Sequence, residues 1–157
     1  MTAMAAIRAL FGNELLLSSV VSWCVAQLLK LLIFVLTHKN KKVSEAIETV
    51  IWRTGGMPSS HSAVVCSLTT AVGFSEGISS NLFAFSVIFT MVVLRDALGV
   101  RRAAGLQAKA LNNLGKMTAE KTGLEFHPVK EIKGHSPFEV VVGGFLGIFI
   151  AAGICLL

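Results

Sequence analysis

The chain has 157 residues, 54% of them hydrophobic, with a formal charge of +5 and a mean hydropathy of +0.72. Such a chain is more apolar than a soluble domain of this length needs for its core, so a bilayer is its natural solvent, and there is room for one integral membrane domain over 1–157. The basic residues lie between hydrophobic runs and are not interleaved with aromatics, which argues against a nucleic-acid surface and for anionic headgroups or phosphorylated substrates.

The run Leu15 to Leu36 is long enough to cross a hydrocarbon core of about 30 Å as a helix, and its one charge, Lys30, lies toward the C-terminal end. It is too long for the apolar part of a signal peptide and lacks a small-residue cleavage pattern, so it reads as a retained span. A polar stretch from Thr37 to Gly56 follows, within which Ser44 to Arg53 is predicted as a short interfacial helix. Pro58 then opens a second helix to about Ile78, and Ser67, Thr69 and Thr70 give it polar positions suited to packing against its neighbours.

Gly77 to Asn81 is a tight turn. Leu82 to Leu94 begins a third span that continues as a helix past Arg95. Its strictly apolar part covers only about 20 Å at the usual helical rise, which puts Asp96 in the interface or within the bundle. Ala103 to Leu114 keeps good helix formers, Lys116 to Gly134 is a polar loop, and Phe138 to Leu157 is the fourth span, with Gly143, Gly144, Gly147 and Gly153 allowing close helix contact. The expected fold is therefore an all-α polytopic membrane bundle of about four transmembrane helices, with spans near 15–36, 59–77, 82–98 and 138–157. Cys24, Cys66 and Cys155 lie inside apolar runs without paired or metal-ligand spacing and read as packing residues.

Lys39, Lys41, Lys42 and Arg53 fall between spans one and two, eight more lysines and arginines lie from Arg95 to Lys133, and the turn between spans two and three has none. By the positive-inside rule the basic connections are cytoplasmic and both termini are outside. Lys30, His61, Asp96, Arg101, Arg102 and His135 are then expected at one cytoplasmic-face site.

Two segments have the residues for chemistry there. Gly55-Gly56-Met57-Pro58-Ser59-Ser60-His61-Ser62 is a flexible turn, a proline suited to starting a helix, then small hydroxyls at a helix opening, where free N–H groups and the dipole favour an anion. The plain alternative is that Ser59 or Ser60 caps the helix and His61 is an interfacial polar residue. In Gly134-His135-Ser136-Pro137-Phe138-Glu139, the i, i+4 spacing lets Glu139 accept the imidazole N–H of His135. Ser136-x-x-Glu139 also fits a capping box, and one carboxylate geometry is not expected to satisfy both. Two histidines beside a basic cluster suit phosphoryl transfer, one attacking phosphorus and the other protonating the leaving oxygen. Lys30, Arg101 and Arg102 are candidate phosphate ligands, although Lys30 as a snorkelling side chain and the arginines as topology charges are the simpler readings.

The strings GGMPSSHSA (55–63), RDALGVRRAAGLQAKALN (95–112) and GHSPFEVVVGGFLGI (134–148) together resemble the acid phosphatase and vanadium-dependent haloperoxidase related family, a divergent branch of the type 2 phosphatidic acid phosphatase superfamily. The resemblance covers nearly the whole chain from span one onward. It implies a bacterial cytoplasmic-membrane phosphatase that hydrolyses a phosphomonoester or diphosphate of a lipid through a phosphohistidine, without a metal or other cofactor, and with vanadate as a phosphate-mimicking inhibitor. The superfamily motif P-S-G-H is matched by Pro58, Ser59, Ser60 and His61, which makes His61 the general acid. The motif S-R-x5-H-x3-D is matched in its H-x3-D part by His135 as nucleophile and Glu139 as orienting carboxylate. Val129 stands where that motif has its arginine, and Lys130 is the nearest cation. Lys30 stands for the first motif's lysine, and Arg101 or Arg102 for the missing arginine. Ser59 and Ser60 join the phosphate ligands, with Gly56, Pro58, Asp96 and Lys130 in support. The rival readings are a non-catalytic membrane protein with a phosphate or lipid-headgroup pocket, a metal-dependent hydrolase using His61, His135, Asp96 and Glu139, and a transporter.

Overall fold

The computed structural model describes residues 12–37, 56–131 and 134–157. The interfacial helix expected over 44–53, with Lys39, Lys41, Lys42 and Arg53, lies outside the described residues, as do His38, Gly55 and Lys133.

The described residues are all helical or loop. Helix α1, Glu14–Thr37, opens where the Asn13 side chain accepts from the amides of Leu15 and Leu16, relieving two of the unpaired N–H groups that every helix start leaves. Helix α2, Ser60–Glu76, is capped by Ser59 and ends at Gly77, whose φ of 83° few other residues adopt. Pro58 stands one residue outside that cap and is buried. Helix α3, Asn81–Arg95, is capped by Ser80 and passes through a π-helical turn, Asp96–Val100, into α4, Arg101–Thr122, which stops at left-handed Gly123. Helix α5, Pro137–Leu156, starts with a proline in its first turn behind a complete Ser136/Glu139 capping box.

Among the described residues, three helices are long and apolar enough to cross a membrane: α1, the continuous Asn81–Thr122, and α5. At 17 residues, α2 is at the short end of the range that spans a bilayer, and it is the helix on which the bundle closes, packing against α1, α3 and α5. The chain is an integral membrane helical bundle.

Its interior is built from small residues and its exterior from large ones. Ser18, Ser22, Ala26 and Lys30 form one buried stripe of α1 at four-residue spacing, while Leu28, Leu32, Phe85, Ile88 and Phe149 are exposed. Lipid solvates large apolar groups as well as a protein core does, so helices in a bilayer gain by approaching closely through small residues. The α2–α5 contact is the tightest case. A side chain at Gly143 would collide with the carbonyl of Ser59, and one at Gly147 with that of Ala63. Between α2 and α3 the attraction is polar: the Thr69 and Thr90 hydroxyls stand 2.8 Å apart, within hydrogen-bond reach of the Ser86 and Val65 carbonyls respectively, so that two protons serve three contacts.

Candidate functional site

The C-terminal end of α1 and the openings of α2 and α5 meet on one side of the bundle, with the π-turn beside them. The Ser59 amide donates to the Glu139 carbonyl at 3.0 Å, which joins the two openings by main chain. Their histidines follow: the rings of His61 and His135 lie edge to face with centroids 6.3 Å apart. His61 is exposed, while His135 is only 3% exposed.

The His135 Nδ1 and Glu139 Oε2 atoms are 3.0 Å apart. An ionised carboxylate only accepts, so Nδ1–H donates to it, which in a neutral imidazole leaves the lone pair on Nε2. The same Oε2 accepts from the Ser136 amide at 3.1 Å, while the Ser136 hydroxyl accepts from the Glu139 amide. One carboxylate oxygen therefore serves both the capping box and the histidine, against the sequence-based expectation that it could not. An oxygen with two lone pairs can face two donors that the first helical turn already places side by side.

The hydroxyls at the α2 opening have structural partners. Ser59 is fully buried, and its Oγ accepts from the Ser62 amide and hydroxyl. Ser60 Oγ accepts from the Lys30 ammonium at 3.2 Å. Lys30 is 8% exposed, and the Glu139 carboxylate acts on its charge through space. An ammonium has three donors, and among the described residues Ser60 takes its one hydrogen bond. Gly56, at φ 89°, turns the chain ahead of Pro58.

Past the π-turn, Arg101 Nε donates to Asp96 Oδ2 at 2.7 Å, both side chains being about two-fifths exposed (39% and 43%). Both act electrostatically on the His61 ring, as do Lys30 and His135. Arg102 is exposed, and its backbone is what a side chain at Gly134 would strike, so the residue before His135 rests directly on the start of α4. Lys130 is exposed in a loop that Asn112 holds to α4, its amide side chain pairing with the N–H and carbonyl of Val129 and donating to Glu131. Among the described residues no three His, Cys, Asp or Glu side chains gather as a metal-binding group.

A family model described as "Divergent PAP2 family", PAP2 being the type 2 phosphatidic acid phosphatases, matches residues 11–150. The chain belongs to the divergent PAP2 family. It is also similar to the "Uncharacterized membrane protein YuiD" of Bacillus subtilis (strain 168), with 39% identity over 154 residues, covering 90% of this chain and 93% of the relative. No solved structure matches.

In this divergent PAP2 chain, three features of the site were not read from the sequence. The π-turn leaves no local signature beyond a glycine, Gly99, within a helical run. The main-chain bond between Ser59 and Glu139 depends on which helices pair. Gly134 looks like a loop glycine, and its need for a missing side chain shows only when Arg102 lies beneath it.

Proposed function

We propose that this divergent PAP2 protein is a membrane phosphatase that hydrolyses a phosphomonoester or diphosphate of a lipid, at a site on the cytoplasmic side, through a phosphohistidine. The observation that carries the reading is the 6.3 Å separation of the His61 and His135 rings. In-line transfer needs roughly 3 Å from attacking atom to phosphorus and roughly 3 Å from leaving oxygen to acid, so the two nitrogens should stand a little more than that sum apart. Ring centroids 6.3 Å apart put the two imidazoles within the span of a single phosphoryl group.

His135 Nε2 attacks phosphorus as the bond to the leaving oxygen breaks, and protonated His61 gives its proton to that oxygen, releasing the alcohol or lower phosphate. Glu139 accepts from Nδ1–H throughout and stabilises the positive charge on the ring. Water, deprotonated by the now neutral His61, then attacks phosphorus, restoring His135 and releasing phosphate. Lys30 and an arginine at the start of α4 bear the charge of the transferring group. The openings of α2 and α5 supply their dipoles, while Ser59 and Ser60 act mainly by holding the α2 cap and Lys30 in place.

The test uses the full chain in detergent with a panel of phosphorylated lipids in chelating buffer, comparing wild type with His135→Ala and His61→Ala. Wild type is expected to release phosphate and to form an acid-labile phosphoenzyme that vanadate blocks. His135→Ala forms none, and His61→Ala is slowed by about 10²–10⁴-fold, the range of general acid catalysis. Equal release by all three proteins would refute the mechanism. No release by any would favour a phosphate or headgroup pocket without catalysis.

A further inference from the structure

The cationic segment between α3 and α5 offers two adjacent arginines, and the structure assigns the phosphate-facing role to Arg101, with Asp96 as the residue that positions it. This inference rests on the phosphatase reading for its kinetic consequences, but not for its anion-binding ones.

Residues five apart in an α-helix point about 140° away from each other at 3.6 residues per turn, so Asp96 and Arg101 could not pair in a regular helix. The π-turn removes that obstacle. The Arg101 amide reaches back to the Asp96 carbonyl, widening the turn by one residue and bringing the two side chains to the same face. Nε then meets Oδ2 at 2.7 Å. An arginine held by its Nε still has the two terminal nitrogens of the guanidinium, a planar fork suited to two phosphoryl oxygens. The charge of the guanidinium is felt through space at His61, as are those of Lys30 and Asp96.

Arg102 differs in each respect. It shares no hydrogen bond or ion pair with Asp96, its side chain is exposed, and its close contact is that of its backbone with Gly134. An arginine free to rotate loses more conformational entropy on gripping an anion than one already held along its stem. Asp96 also sets a limit. Its negative charge offsets part of the attraction of Arg101 for an anion and is itself felt at His61, so its positioning role is the part of its effect that passes through Arg101.

That dependence gives the experiment. Vanadate binding, followed by the rise in melting temperature of the full chain in detergent, and kcat/KM on a phosphorylated lipid are measured for wild type, Arg101→Ala, Arg102→Ala, Asp96→Ala and the Asp96→Ala/Arg101→Ala double variant. Arg101→Ala is expected to weaken vanadate binding and lower kcat/KM by about 10–100-fold, as loss of a charge-assisted contact does. Arg102→Ala should stay within about threefold of wild type. Asp96→Ala should lower kcat/KM by about 3–10-fold, and the double variant should be no worse than Arg101→Ala alone. If Asp96→Ala does not fold, Asp96→Asn, which retains an oxygen for Nε, replaces it in the cycle with a smaller expected loss. Additive losses in the double variant would make Asp96 merely structural and overturn its positioning role, and equal losses from the two arginine variants would overturn the choice of Arg101. Wild type that binds vanadate but releases no phosphate refutes the phosphatase reading and leaves the arginine assignment to be decided by the binding arm. Wild type that binds no vanadate refutes both.

Discussion

The amide of Ser59, which caps α2, donates to the carbonyl of Glu139 in the first turn of α5 at 3.0 Å. The bond can form because Gly143, one turn further along α5, has no side chain to push the Ser59 carbonyl away. Removal of a methyl group's worth of volume at one position of α5 thus sets the distance between His61 on α2 and His135 just ahead of α5.

Gly143→Ala and Gly147→Ala should therefore force α2 and α5 apart. The added carbon would meet backbone carbonyls of α2 in both cases, and backbone cannot yield as a side-chain tip can. The expected cost is about 1–3 kcal/mol, typical of an overfilled core, seen as a lower melting temperature in detergent together with loss of phosphate release. Gly153→Ala is the control, since nothing lies within 4 Å of the position and alanine favours the helix. A Gly143→Ala protein as stable and active as Gly153→Ala would contradict this account of the α2–α5 contact.

Because one oxygen of Glu139 serves both the helix cap and His135, substitution can separate the two. Glu139→Gln keeps a carbonyl oxygen for the Ser136 amide, and glutamine is the other residue a capping box accepts. It removes the negative charge that stabilises the His135 ring while positive charge develops. Glu139→Ala removes cap and charge together. Glu139→Gln is expected to melt within about 1 kcal/mol of wild type while turnover falls by about 10²-fold or more. Glu139→Ala should lose both stability and turnover, the cap being worth about 1 kcal/mol. Parallel loss of stability and turnover in Glu139→Gln would show the carboxylate to be a cap alone.

Much of this arrangement is written in short-range spacing. Ser-x-x-Glu before an apolar run, the four-residue interval between His135 and Glu139, and a lone Lys30 near the end of a span are all patterns that one helix satisfies by itself. The relationships that were not legible are those made between helices. Beyond Gly99, nothing near Asp96 shows that the chain will widen to a π-turn. The bond from Ser59 to Glu139 joins residues 80 positions apart. Asn112, in mid-helix, gives no hint that its side chain will hold the backbone of Val129, the residue that stands where the superfamily motif has its arginine.

Gly134 provides a third test. A Cβ there would lie against the Cα and amide nitrogen of Arg102, so Gly134→Ala must lift the segment bearing His135 off the start of α4. His135 sits inside the bundle and follows that shift, while the helices themselves keep their contacts. The melting temperature should change little, and kcat should fall by about 10-fold or more, as small misplacements of a reacting group do. Unchanged kcat in a folded Gly134→Ala protein would show that the segment can yield without moving the ring.

The proposed cytoplasmic placement of the site can be tested independently of activity. The turn between α2 and α3 has no lysine or arginine, whereas α4 bears Lys109, Lys116 and Lys121, and the bias of such charges sets orientation. In a variant lacking Cys24, Cys66 and Cys155, Ser79→Cys in that turn and Asn113→Cys on the exposed side of α4 should occupy opposite aqueous phases. A membrane-impermeant maleimide added to intact cells is expected to label Ser79→Cys and to reach Asn113→Cys only after the membrane is opened. Labelling in the reverse order would move the α2 and α5 openings to the outer face, and with them the source of the substrate, without altering the distance between the two histidines.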